Sequence, residues 1–155
     1  VCSQVVVAFT NQQRCFTWTR SIDHRTRMNM LRLSLAILSG SFAVCKLRAD
    51  ESIPNWALSG SFCSLTRTPD ELSIVCPQEL VPEGIQAVRG WRSLKVEGKL
   101  DFTLVGILSS ITSALAHVGI VVFVISTYKT DYIFVKESDL DRAVAALGKA
   151  GHDLH

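Results

Sequence analysis

Apolar and polar positions alternate from Leu31 to Leu38, so Leu31, Leu33, Leu35 and Ile37 share one face. Period two predicts a half-buried strand. Ser39-Gly40-Ser41 predicts a turn into a second strand, Phe42–Arg48, as the hairpin partner of the first. Asp50 or Ser52 is placed to cap a short helix, with Pro54 in its first turn and Trp56 and Leu58 on its buried side. Two further strands, Ser61–Thr66 and Glu71–Cys76, are joined by turn chemistry at Arg67-Thr-Pro-Asp70. Pro77, Pro82, Gly84 and Gly90 make residues 78–90 a linker.

Beyond it, Trp91–Glu97 is a strand. Leu104, Ile107, Leu108, Ile111, Leu115 and Val118 then recur at helical spacing, which predicts a helix over Thr103–Val118 with Gly119 as its C-cap. Ile120–Ser126 is almost wholly apolar and is expected to be a central strand buried on both faces. Tyr132–Lys136 is its antiparallel neighbour. Ser138-Asp-Leu-Asp141 resembles a capping box and starts a last helix, with Leu140, Val144 and Leu147 inward and Gly151 at its end.

The pattern repeats. Thr66-Arg-Thr-Pro-Asp70 and Thr127-Tyr-Lys-Thr-Asp131 both link two strands, and both follow a helix. Two such units imply an α+β fold of tandem ferredoxin-like βαββαβ units, with an antiparallel sheet and helices on one face. We divide the chain into residues 28–84 and 85–155. Val1–Arg27, with scattered Thr, Gln and Arg, is expected to lie outside the fold as added or over-extended sequence, or else as an organelle-targeting segment.

Charge changes this picture little. The chain is 48% hydrophobic and 19% charged, which provides a core and argues against disorder. Its net charge of +2 comes from Arg14, Arg20, Arg25 and Arg27; the remainder is near neutral, so nothing points to nucleic acid. No apolar run reaches the ~18 residues of a membrane span. The five cysteines form no C-x-x-C pair, and we expect reduced thiols in a cytoplasmic protein. His24, His117, His152 and His155 show no metal-ligand spacing, so no metal is expected.

Catalytic chemistry finds no support. A phosphate loop, a nucleophile elbow and a nucleophile–base pair are all missing, so we expect no enzyme and no cofactor. A binding site is better supported. The first N–H groups of helix 103–118 lack intrahelical partners and favour a carboxylate. Gly106 would let a ligand approach the backbone, and Asp131 on the facing strand loop would receive an α-amino group. The alternative is that Asp101, Thr103 and Asp131 merely cap local structure.

Glu71-Leu-Ser-Ile-Val-Cys-Pro, Trp91-Arg-Ser-Leu-Lys-Val-Glu-Gly and Phe102-Thr-Leu-Val-Gly-Ile-Leu-Ser-Ser resemble the small tandem ACT-domain proteins. So does Gly119-Ile-Val-Val-Phe-Val-Ile-Ser-Thr-Tyr-Lys-Thr-Asp-Tyr-Ile-Phe-Val, the most specific stretch. The resemblance runs from about Leu31 to Leu154 and extends to the ACT pairs of the cytosolic arginine sensors of animals. It implies a non-enzymatic regulatory protein that binds a free amino acid where the two units meet, and a homodimer. By position, the ligand side would comprise Val105, Gly106 and Ile107 at the helix start and Thr127, Tyr128 and Asp131 on the strand loop. Leu104 stands where the arginine sensors have an acid, which argues against arginine. A structural or protein-interaction module without a ligand is the alternative function.

Overall fold

The computed structural model describes Val6–Val7, residues 32–98 and residues 106–155. Nine strands are described: β1 (Val6–Val7), β2 (Ser34–Ile37), β3 (Phe42–Leu47), β4 (Ser64–Arg67), β5 (Leu72–Pro77), β6 (Ala87–Val96), β7 (Val122–Ser126), β8 (Asp131–Lys136) and β9 (Asp153–Leu154). The helices are α1 (Ile107–His117) and α2 (Leu140–Lys149). The strands form one sheet, ordered β1-β7-β8-β6-β3-β5-β4, with β2 also on β6 and β9 on β2. The fold is the α+β, ferredoxin-like arrangement expected from the sequence. Of the 1–27 extension, only Val6–Val7 lies among the described residues, paired with Ile125 and Val124 of β7.

Strand β6 holds the sheet together. Trp91–Lys95 pairs with β8 on one side. On the other side, Ala87, Val88 and Trp91 pair with β3, while Leu94–Val96 pairs with β2. Both β2 and β3 run antiparallel to β6 along the same edge. They are therefore successive segments of one bent strand, which corrects the hairpin expected at Ser39-Gly40-Ser41. The reason is long range: β6 is long enough to satisfy the backbone of both, so neither needs the other. Ala87–Gly90, expected to be linker, is the beginning of β6.

Each half consequently borrows a strand. The first sets β4, β5 and β3 side by side and completes the row with the start of β6. The second sets β7, β8 and β6 side by side and completes it with β2. Strand β9 is displaced outward and lies parallel to β2.

The helices cover one face of the second half. Leu35, Leu94, Val96, Ile133 and Val135 from the sheet meet Ile107, Ile111 and Leu115 of α1 and Ala143 and Leu147 of α2. Full burial of a side chain of this kind stabilises by about 1.5–3 kcal/mol. Both helices stop as the sequence indicates. Gly119, at φ 72°, donates its N–H to the Ala116 carbonyl, and Ile120 donates to Leu115; this is a Schellman cap on a left-handed residue. Gly151 and His152 close α2 in the same way. The capping box foreseen at Ser138–Asp141 does not form. Asp139 precedes the helix without a side-chain cap and pairs instead with Arg142 at 2.6 Å.

Three other expectations change. The first-half helix is a single 3-10 turn, Asn55–Leu58, that buries Ala57 and leaves Leu58 58% exposed. Strand β7 is not buried on both faces, because helices cover only one of them: Val122, Phe123 and Val124 are half-buried. The repeat, too, is offset. Thr68 Oγ1 accepts the Asp70 and Glu71 N–H groups, and Thr127 Oγ1 accepts that of Thr130. Thr68 is thus the counterpart of Thr127, and Leu72, the first residue of β5, is the counterpart of Asp131. The Thr66/Thr127 alignment misses this, because Thr66 lies inside β4.

Candidate functional site

The C-terminal end of β6, the β7–β8 turn and the start of α1 all lie at one end of the sheet. Antiparallel pairing dictates this, since Lys95 of β6 is opposite Tyr132 of β8. The turn is rigid. Thr127 donates its N–H and its hydroxyl to the Thr130 carbonyl, each at 2.8 Å. The buried Thr130 hydroxyl donates to the Val96 carbonyl, which fastens the turn to β6.

A cavity of about 690 Å³ opens here, within the usual size for small-molecule sites. Lys95, Glu97, Thr127, Tyr128, Lys129 and Tyr132 are among the residues that line it. One wall continues into an aromatic cluster on the sheet face opposite the helices. The Tyr132 ring lies 5.0 Å from Phe62, which in turn lies 5.7 Å from Phe42 and from Phe134. Phe134 stacks on Phe123 at 4.5 Å. Phe62 belongs to the first half, so that half backs the cavity wall without lining the cavity.

The residues picked out by sequence are divided by this geometry. Thr127 and Tyr128 line the cavity. Asp131 does not; it shares the pleat of Ile133 and Val135 and so sits on the helix side of the sheet. Gly106 stands as the N-cap of α1 at φ 94°, a left-handed conformation suited to glycine, and it is exposed. Ile107 is buried in the core beneath α1. Val105, with Leu104, Thr103 and Asp101, lies outside the described residues. The cavity therefore lies at the end of β6 away from Ala87–Trp91, where the halves join, and every described residue lining it belongs to the second half.

Lys95, Glu97 and Lys129 were missed. A lysine on a strand or in a turn ordinarily marks a solvated face, and only the meeting of β6 with the β7–β8 turn brings these three around one space. Glu97 also reaches beyond the cavity, with Oε2 2.9 Å from His155 Nε2 and 3.5 Å from Ser34 Oγ. The segment bearing His155 is tied to β2 through Asp153 N–H on Leu33 and His155 N–H on Leu35. An exposed ion pair of Arg32 with Asp153 at 2.8 Å adds to it.

Among the described residues, no group of three or more His, Cys, Asp or Glu is placed to hold a metal. Likewise, no described helix is long and apolar enough to cross a membrane.

A family model of the ACT domain matches residues 86–149, and a second model, of an N-terminal domain, matches residues 40–84. A crystal structure of an Agobacterium tumefaciens protein is 42% identical; the match covers 80% of this chain and 92% of that one, with a TM-score of 0.77. Aspartate kinase of Clostridium acetobutylicum is 14% identical, over 83% of this chain and 37% of that one, with a TM-score of 0.58. The regulatory subunit of aspartate kinase from Thermus thermophilus is 9% identical, over 71% and 91%, with a TM-score of 0.52. These last two share the fold. No curated protein matches in sequence.

Proposed function

Because the chain belongs to the ACT-domain family, we propose that it is a non-enzymatic regulatory protein that binds a free amino acid at the β7–β8 end of the sheet. The observation that carries this reading is the cavity beside Thr127 and Tyr128, with ammonium groups and a carboxylate around one space. A free amino acid offers one charge of each sign a few ångströms apart, which suits such a lining. Gly106, exposed at the N-cap of α1, and Asp131, on the helix side of β8, would border the same end from outside the cavity. The proposal includes a homodimer, residence in the cytoplasm, no metal or cofactor, and no nucleic-acid or membrane partner. It retains two units, 28–84 and 85–155.

The regulatory part follows from the construction. Glu97 lines the cavity and also holds His155, so occupancy of the cavity would be felt by the segment that carries β9. Thermal shift and calorimetry of the full chain against the twenty amino acids test the reading. At least one should raise the melting temperature with saturable binding; no response from any of them overturns it.

A further inference from the structure

The charges around the cavity are unbalanced. Lys95 and Lys129 both line it, and neither has an ion-pair partner among the described residues. Glu97 is the one acid lining it among the described residues. Its Oε2 is occupied by His155 and Ser34, while Oε1 takes no hydrogen bond among the described residues. The threonine hydroxyls are already engaged within the fold, Thr127 with Thr130 and Thr130 with the Val96 carbonyl. Among the described residues, the charged groups left for a ligand are thus two ammonium ions and one carboxylate oxygen.

We infer that this cavity selects an acidic α-amino acid, with Lys95 and Lys129 taking its two carboxylates and Glu97 Oε1 taking its α-ammonium group. The inference rests on the amino-acid reading above and narrows it. Each charge of such a ligand meets an opposite charge. A basic amino acid would bring a second cation beside two lysines, and repulsion of that kind is how sites reject a wrong partner. A neutral amino acid would leave one lysine without a carboxylate.

Calorimetry on the full chain with aspartate, glutamate, alanine, arginine and succinate tests it. Aspartate or glutamate should bind, alanine more weakly, and arginine not at all. Lys95→Gln and Lys129→Gln should each weaken the acidic ligand by about five- to tenfold. Their urea midpoints should match the unsubstituted protein, which separates a lost contact from a lost fold. Glu97→Gln should bring aspartate down to the affinity of succinate, which has no ammonium group. Preference for alanine or arginine overturns the inference but leaves the amino-acid reading standing. Silence from all twenty amino acids overturns both. Unchanged affinity in the two lysine variants also overturns it, and equal binding of succinate and aspartate by the unsubstituted chain removes Glu97 from its role.

Discussion

Over Leu94, Ile133 and Val135 the chain lays two α-helices; over Cys45, Ile74 and Cys76 it lays only the 3-10 turn Asn55–Leu58 and, after a second such turn at Gln78–Leu80, a loop carrying Val81 and Ile85. The side chains beneath differ accordingly. The sheet residues under the helices are Leu, Ile and Val. The other core includes Ala43, Cys45, Ala57 and Cys76, which are small enough for a thin cover to close down on them. Cys45 and Cys76 interact through their side chains by a hydrogen bond. That hydrogen bond raises Cys76 and lowers Cys45, with burial pushing both upward. Equivalent strand positions can therefore be sealed by different layers, provided that side-chain volume falls as the cover thins. The cavity lies in the half with the fuller cover, where the end of β6 meets the tight β7–β8 turn.

The two halves should nevertheless unfold together, since each borrows a strand from the other. Ile111→Ala under the helices and Ile74→Ala under the 3-10 turn each remove a fully buried side chain. Each should lower stability by about 2–5 kcal/mol, the first-half change towards the smaller end because its thin cover can settle into the space. Urea unfolding followed by fluorescence and by circular dichroism should give one coincident transition in both variants. Two separated transitions would show that the halves are independent.

A smaller effect tests how tightly the helix-poor half is closed. A Cβ added at Gly60 would stand 2.8 Å from Leu80 Cδ1 and 2.9 Å from the Pro77 ring. Leu80 is flexible at its end, whereas the proline ring is not. Gly60→Ala should cost about 1–3 kcal/mol in urea unfolding. A neutral result would mean that the thin cover is loosely packed.

The smallest effect concerns the second half and pH. Leu33 N–H donates to His152 Nδ1 at 3.4 Å, which requires the neutral ring, and burial lowers the His152 pKa while Asp153 pulls the other way. The unfolded chain therefore binds more protons than the native chain between the lowered value and the ordinary histidine value of about 6.5. Stability should be full above that ordinary value and decline as pH falls below it. His152→Gln should flatten this part of the profile of urea midpoint against pH. An identical slope in the variant would show that His152 is not its source.

Much of this was legible in the sequence, and the losses have identifiable causes. The β7–β8 turn announced itself through Thr127 and Asp131, and Thr127 and Tyr128 do reach the cavity. Lys95, Glu97 and Lys129 were not legible, because a charge near a strand end looks the same whether it faces water or a ligand. Asp131 was placed by its motif, which carries no information about the pleat. Strand parity decides that, and it aligns Asp131 with Ile133 and Val135.

What the sequence determined alone is local: the period of each apolar run, the Gly119 and Gly151 helix ends, and the threonine-tied turns. Such features depend on residues a few positions apart, whose interactions survive in any tertiary setting. What the tertiary structure decided is partnership. Alternation states which face of a strand is buried but not which strand lies beside it, because backbone N–H and C=O groups are alike in every residue. For that reason the joining of β2 and β3 along β6, the outward displacement of β9, and the charged cavity at the end of β6 appear only once the sheet is assembled.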